Sequence, residues 1–394
     1  MLSDIRAPYA VLFLVAGACA VTIARAMTLS FLAIKLQQDF DLGPAMIGFL
    51  LGAGSLLGAF VAPVVGALSD GLGRKKILAL VLLTLATGMI ALALAETVIV
   101  FCAAQVTTAT AISLYGPMSR ALMSDICTET VRLKYISWRY TASNVGWAVG
   151  PVIGLAAGVA STTLFLAASA IYLLLALVLQ LIHFPAPSSA DEQLPAAGLA
   201  FLSNIRTAVR DRRLQSFIAG STFLIAVYGQ WTVTLAPYLT NSLSDGVEIY
   251  AYAVSTNGFV VLVGNPLARR IVERFGAYKA VAVGCVFFVI SQIGLMISVG
   301  LSGVLVSMIL FTVGEILVIP SEYVLIDNAS TERNRGSYFG AQSFSMIGSF
   351  IGPAIGGAVL ETFGGVAMFS VFAGFAVIGL MFFAVSMRMS PPSS

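Results

Sequence analysis

Charged residues are scarce in this chain of 394 residues. Only 10% of the residues are Asp, Glu, Lys or Arg, whereas a soluble domain carries about 25% of them to cover its surface. Hydrophobic residues make up 59% of the chain, and the mean hydropathy is +0.97. The composition therefore excludes an ordinary soluble domain and predicts a membrane protein with the lipid bilayer as its surroundings.

Residues that usually carry enzyme chemistry are also few. The chain has one histidine, His183, and its four cysteines show no CxxC spacing, so we expect no metal site, no disulfide framework and no nucleophile–base pair. No GxxxxGK[ST] pattern is present, so ATP hydrolysis is not expected. The net charge of +3 forms no basic stripe, which excludes nucleic acid as a partner. The prediction is a protein that is not an enzyme and has no cofactor.

Long apolar runs dominate what the sequence does contain. A helix needs about 20 apolar residues to cross a bilayer, and the runs predict about twelve such helices. They are too long and continuously apolar for the strands of a membrane β-barrel. The predicted spans are 8–36, 44–68, 76–95, 98–124, 136–159, 162–184, 214–240, 247–271, 278–299, 302–327, 337–359 and 365–388.

Lysine and arginine are unevenly divided among the gaps between spans. The even-numbered gaps carry basic clusters such as Arg74, Lys75 and Lys76, whereas the odd-numbered gaps carry mainly acids, with Lys35 as their one cation. Basic residues mark cytoplasmic loops. We therefore expect the even gaps and both termini to lie in the cytoplasm, with the chain in the cytoplasmic (inner) membrane.

The longest gap separates two groups of six spans. It begins with a polar, proline-rich stretch and ends with the pattern of a short amphipathic helix on the cytoplasmic leaflet. We predict an N-terminal bundle over 1–184, a linker over 185–213 and a C-terminal bundle over 214–394. Both halves are on one chain, so we expect a monomer.

An internal repeat relates the two halves. A shift of 202 residues aligns SRALMSDICTETVR with SEYVLIDNASTERNR, and it aligns GWAVGPVIG with GSFIGPAIG. The matched residues include Ser119 with Ser321 and Asp125 with Asp327. Parallel repeats of this kind are typical of transporters that bind a small-molecule substrate near the bilayer midplane.

Several motifs resemble those of the major facilitator superfamily. The turn Gly66-x-Leu68-x-Asp70-x-x-Gly73-Arg74-Lys75 resembles its signature between helices two and three. The stretch Gly146-x-x-x-Gly150-Pro151-x-x-Gly154 is similar to a motif of its antiporter branch. Two further motifs resemble those of bacterial multidrug–proton antiporters: the pair Gly314-Glu315 and the stretch Arg335-Gly336-Ser337-Tyr338.

The resemblance implies an all-α fold of twelve transmembrane helices in two pseudo-symmetric six-helix bundles. It also implies alternating access, with the turn after span two latching the halves on the inner side. We predict a set of gating residues on this basis and from the repeat: Asp70, Gly73, Arg74, Arg120, Asp125, Asp327, Gly150 and Pro151.

Ionisable residues inside predicted spans are costly in lipid and usually mark transport pathways. Glu315, halfway along its span, is the predicted proton carrier, and a fixed hydrogen-bonded strut is the alternative. Glu322 lies seven residues further on the same helix face and is a second proton-coupling candidate. The shift of 202 matches it to Arg120, and we predict that the two pair in one conformation, with separate local partners as the alternative.

Polar and aromatic residues within the spans predict a substrate cavity. An asparagine amide facing lipid would lack hydrogen-bond partners, so Asn144 in particular is expected to face the cavity. Arg25 either contacts substrate or balances Glu315, and the aromatic residues line either the cavity or the lipid-facing surface. The candidates are Arg25, Tyr115, Tyr140, Asn144, Gln230, Trp231, Asn257 and Gln342.

Together these features predict a secondary transporter that exports small amphiphilic compounds in exchange for protons. Proton-coupled uptake of an anionic or zwitterionic molecule is the alternative within transport. A membrane receptor or lipid-handling protein without coupled movement is the alternative outside it.

Overall fold

The computed structural model describes residues 8–184, 206, 210–330 and 335–389. Within these ranges the regular elements are helices, joined by short connections. In chain order they are α1 Pro8–Thr28, α2 Leu32–Phe40, α3 Pro44–Leu72, α4 Arg74–Leu94, α5 Val98–Ile126, α6 Glu129–Ala156, α7 Thr162–Leu181, α8 Arg212–Gln230, α9 Leu235–Ser242, α10 Gly246–Phe275, α11 Ala277–Ile297, α12 Leu301–Ala329, α13 Arg335–Gln342 and α14 Gly348–Arg388.

The helices account for the twelve predicted spans. Ten stretches of the described chain are long and apolar enough to cross a bilayer. One of them, Tyr338–Arg388, is divided by Gly364, whose φ of 80° is not helical. The 28-residue helix α6 is also long enough but is not one of the ten, because charged and polar residues lower its hydropathy. Counting the divided stretch as two and adding α6 gives twelve membrane helices, which confirms the predicted fold class.

Tight turns start corresponding helices in the two halves. Gly73 precedes α4 with a φ of 95°, and Gly276 precedes α11 with a φ of 89°. Residues with a Cβ rarely adopt this conformation, so the turns require glycine. The two turns show that the sequence around 271–279 is a structural copy of the turn around 66–76.

The chain forms two compact units, which are not the two halves of the sequence. The first unit comprises residues 1–32 and 57–197, and the second comprises residues 33–56 and 198–394. The start of α3 belongs to the second unit because it packs on α14: Glu361 Oε2 accepts a hydrogen bond of 2.9 Å from the Ala45 N–H. The predicted boundaries at 184 and 214 stay a prediction, and most of the predicted linker lies outside the described residues.

Glycines bring two helices into close contact in each unit. In the first, α6 lies against α1, and a Cβ added to Gly154 would be 2.5 Å from the Met27 carbonyl oxygen. In the second, the first half of α14 lies against α8 in the same way. The matched contacts are Gly146 on Thr22, Gly150 on Ala26, Gly348 on Thr222 and Gly352 on Ala226. The repeat read from the sequence is therefore a repeat of helix packing.

Candidate functional site

A buried carboxyl lies inside the second unit. Glu315 is on α12, and only 6% of its surface is exposed. Its Oε2 accepts a hydrogen bond of 2.7 Å from Asn257 Nδ2 on α10. Within the described part of the unit this is the only hydrogen bond of the carboxyl, so Oε1 remains able to carry a proton.

Asn257 is itself held in one orientation. Its Nδ2 also donates to Thr312 Oγ1 over 3.0 Å, and the Thr312 hydroxyl donates to the Met308 carbonyl over 2.7 Å. Both amide hydrogens are thereby used, and the hydroxyl has one hydrogen to donate, so the direction of each bond is fixed. Glu315 therefore faces a preorganised donor.

The packing of α12 against α11 fixes the position of Glu315 in the unit. The neighbouring Gly314 lies against Gly284 of α11, and a Cβ on Gly314 would be 2.8 Å from the Gly284 carbonyl oxygen. A Cβ on Gly284 would be 2.9 Å from the Gly314 carbonyl oxygen. This mutual contact explains why a glycine precedes the acid, because larger residues would push α12 away from α11.

Glu322 is the second buried acid of α12, with 7% of its surface exposed. Ser221 of α8 and Cys285 of α11 are its near polar neighbours. Among the described residues, Glu322 Oε1 and Ser221 Oγ are buried without a hydrogen-bond partner. An unsatisfied buried polar group costs about 1–3 kcal/mol. Glu322 and Ser221 therefore form a polar site with unmet hydrogen bonds in the same unit as Glu315.

Three further cavity candidates belong to the second unit. Gln230 is fully buried, and its Oε1 lies 2.7 Å from the Thr234 hydroxyl. Trp231 follows it and is 3% exposed, whereas Gln342 is partly exposed at the end of α13. Only Asn257, of the four candidates in this unit, forms a hydrogen bond to Glu315 within the described residues.

The candidates of the first unit lie on α1, α5 and α6. The Arg25 Cζ lies 5.2 Å from the centre of the Trp147 ring, which is a cation–π distance. Asn144 is 8% exposed, and its amide donates to the Tyr140 carbonyl of its own helix over 2.9 Å. Tyr140 itself is half exposed, whereas Tyr115 is 7% exposed. The Asn144 amide therefore has a partner in the backbone of α6, and its place in the substrate cavity stays a prediction.

Two predicted gating residues form an ion pair. Arg74 Nη1 lies 2.5 Å from Asp125 Oδ1, and the same nitrogen donates to the Ala121 carbonyl over 3.1 Å. This pair ties the start of α4 to the end of α5 inside the first unit. The neighbouring Lys75 donates to the Ile182 carbonyl over 2.8 Å and thereby caps the end of α7.

Sequence comparison identifies the family. The model of the Major Facilitator Superfamily matches residues 14–346, which is most of the chain. The chain belongs to the major facilitator superfamily. The uncharacterized MFS-type transporter YqjV of Bacillus subtilis is 29% identical over 372 residues, which cover 93% of this chain and 90% of YqjV.

Two more distant similarities support the same fold. The multidrug resistance protein MdtH of Edwardsiella ictaluri is 23% identical over 329 residues, covering 82% of this chain and 79% of MdtH. A crystal structure of the peptide transporter POT in complex with sulfate has a TM-score of 0.79 at 16% identity, covering 97% of this chain and 95% of that one. At this identity the structural similarity establishes the fold alone.

Other gating candidates of this major facilitator protein have less specific surroundings. Gly150 and Pro151 lie on α6 where it crosses α1, and Asp327 is partly exposed near the end of α12. The Arg120 side chain is exposed, and its Nη1 would be 3.4 Å from a Cβ on Gly116, one turn earlier. The side chain of Asp70 lies outside the described residues. The pairing of Arg120 with Glu322 stays a prediction.

Sequence reasoning missed Arg139, which is the most buried arginine among the residues that the structure describes. It lies within predicted span 136–159, and 7% of its surface is exposed. The signal was available, because a lone arginine inside an apolar run is the same pattern that points to Arg25. Sequence reasoning also missed Thr312, which orients Asn257, and Gln292, a fully buried amide without a described partner.

Proposed function

We propose that this protein is a secondary transporter that exports small amphiphilic compounds in exchange for protons. The observation that carries the proposal is the buried carboxyl of Glu315, with one oxygen held by Asn257. A charged carboxylate at the centre of a membrane helix costs about 3 kcal/mol, and the protonated form costs less. A conformational change that alters access to Glu315 would therefore bind the proton on one side of the membrane and release it on the other.

The proposed substrate class has independent support. The relative from Edwardsiella ictaluri is named a multidrug resistance protein. A mostly apolar cavity with a few polar groups, as the sequence predicts, would suit bulky ligands with one polar end. We further propose that the protein works as a monomer, because both halves are on one chain. Its basic residues are concentrated in the even gaps, so we propose that it lies in the cytoplasmic membrane with both termini inside.

Transport by the purified protein in liposomes with a pH gradient tests this proposal. Three amphiphilic fluorescent dyes, one anionic, one neutral and one cationic, are followed with and without the gradient. We expect at least one dye to move uphill in the direction opposite to the proton flow. Empty liposomes under the same gradient give the rate of passive dye movement.

Other outcomes distinguish the alternatives. Uphill movement in the same direction as the protons would replace export with proton-coupled uptake. Movement that is indifferent to the gradient would remove proton coupling and leave a facilitator. If no dye moves faster than in empty liposomes, export of amphiphilic compounds is wrong.

A further inference from the structure

A buried arginine of the first unit lies close to other polar groups and takes no part in the proton site. Arg139 is inside α6 with 7% of its surface exposed. Its Nε donates a hydrogen bond of 2.9 Å to the Oγ of Ser119, which is fully buried on α5. Long basic side chains in membranes usually extend to the bilayer surface, whereas this one is held in the interior of its unit.

Tyr115 is the second support of Arg139. The Cζ of Arg139 lies 5.7 Å from the centre of the Tyr115 ring. Tyr115 and Ser119 are four residues apart, so α5 presents both on one face. The Tyr115 hydroxyl occupies the space beside Gly17 of α1, where a Cβ would be 3.3 Å away. Three helices of the first unit therefore fix the position of the guanidinium.

The first unit supplies no described negative charge for this guanidinium. Within the described part of the unit, the bond to Ser119 is its only hydrogen bond, and no carboxylate forms an ion pair with it. The acidic side chains described there are Glu96, between α4 and α5, and Asp125, which pairs with Arg74. Arg120 adds a second positive charge that acts on Arg139. Because a buried charge needs a partner, the arrangement favours binding of a negative group.

We propose that Arg139 binds the acid group of the transported molecule, and that the substrates are amphiphilic organic acids. The two terminal nitrogens of the guanidinium match the two oxygens of a carboxylate or sulfonate in a fork geometry. Ser119 and Tyr115 are positioning residues, because they hold Nε and the plane of the group. The inference rests on the proposed function in one respect, that the chain carries small molecules, and it does not require proton coupling.

Ligand binding to the purified full-length protein in detergent tests this inference without any proton gradient. The probes share one ring system: naphthoate and naphthalenesulfonate are acids, naphthamide is neutral and naphthylmethylamine is a cation. Thermal unfolding and equilibrium titration are measured for each. We expect the acids to raise the unfolding temperature, and to bind at least about 10-fold more tightly than the amide or the amine.

Variants connect this preference to Arg139. Arg139→Gln is expected to weaken binding of the acids about 10- to 100-fold while leaving naphthamide unchanged. Arg139→Lys keeps the positive charge but lacks the two terminal nitrogens of the guanidinium, so its affinity for the acids should be intermediate. Ser119→Ala should weaken acid binding by a smaller factor. Lys134→Gln is the matched control, because it removes one cation from an exposed side chain of the same helix.

Several outcomes would overturn the inference. These are a wild-type preference for the amide or amine, no binding of either acid, or unchanged acid binding by Arg139→Gln with a normal unfolding transition. If Arg139→Gln does not fold, unchanged acid affinity in both Arg139→Lys and Ser119→Ala would overturn it instead. A failure of proton coupling would appear only in the liposome assay and would leave these binding results unaffected.

Discussion

Asn257 Nδ2 lies 2.7 Å from Glu315 Oε2 and joins α10 to α12 through a hydrogen bond between two nearly buried side chains. The bond gives the carboxyl a fixed donor on one oxygen only. A side chain in this position can gain or lose a proton on the other oxygen without losing its place in the unit.

Replacing Glu315 with Gln should abolish proton coupling and preserve the fold. The amide oxygen of Gln still accepts from Asn257, so we expect the unfolding free energy to change by less than about 1 kcal/mol. Gradient-driven transport in liposomes should fall to the rate measured without a gradient. Glu248→Gln is the control, because Glu248 is exposed at the start of α10. Uphill transport that survives Glu315→Gln would show that another group carries the proton.

Asn257→Ala should destabilise the second unit through Glu315. It leaves a buried carboxyl and the Thr312 hydroxyl without their shared donor, which costs about 1–3 kcal/mol in unfolding free energy. The loss should be smaller in a Glu315→Met background, which has no acceptor for the Asn257 amide, and a double-mutant cycle measures that coupling. Asn241→Ala serves as the comparison, because that amide is exposed and bonded to Gln37. Equal losses at Asn257 in both backgrounds would contradict a specific role for the bond to Glu315.

The ion pair of Arg74 with Asp125 should contribute more than a surface pair does. Their side chains are 29% and 16% exposed, whereas those of Arg269 and Glu273 are 76% and 61% exposed. Double-mutant cycles on unfolding should give a coupling of about 1 kcal/mol or more for the first pair and about 0.3–0.5 kcal/mol for the second. Similar values for both pairs would mean that burial adds nothing to the first.

Alanine at two glycines should have opposite effects on stability. Gly154→Ala places a methyl group against the Met27 carbonyl and the Phe31 ring, which we expect to cost about 1–3 kcal/mol. Gly374→Ala places it in open space within α14, where it should stabilise the helix by up to about 1 kcal/mol. Thermal unfolding in detergent measures both. A neutral Gly154→Ala would show that α6 and α1 can move apart at little cost.

The sequence predicts the helices well because hydrocarbon permits few alternatives to long apolar helices. Spans such as 98–124 differ from the observed α5 by two residues at one end. One difference is α6, which begins at Glu129 rather than at 136, since its first turns carry charge that lowers the hydropathy of the run.

The candidate site could be predicted only in part. Glu315 and Asn257 each stand out as polar residues in apolar runs, but their hydrogen bond depends on the rotation of α10 and α12, which composition does not determine. The support of Arg139 by Ser119 and Tyr115 depends in the same way on how α5 and α6 face each other. The turn at Gly73 could be predicted, because its conformation depends on one glycine residue.

The packing of residues 33–56 on α14 has a consequence for how the polypeptide matures. This early segment completes the second unit only when Pro353, Glu361 and their neighbours have been synthesised. Ribosomes synthesise the chain from the amino terminus. The start of α3 is therefore made before α14, the helix on which it packs. A polypeptide severed between its halves would therefore carry one piece of the second unit on its amino-terminal fragment.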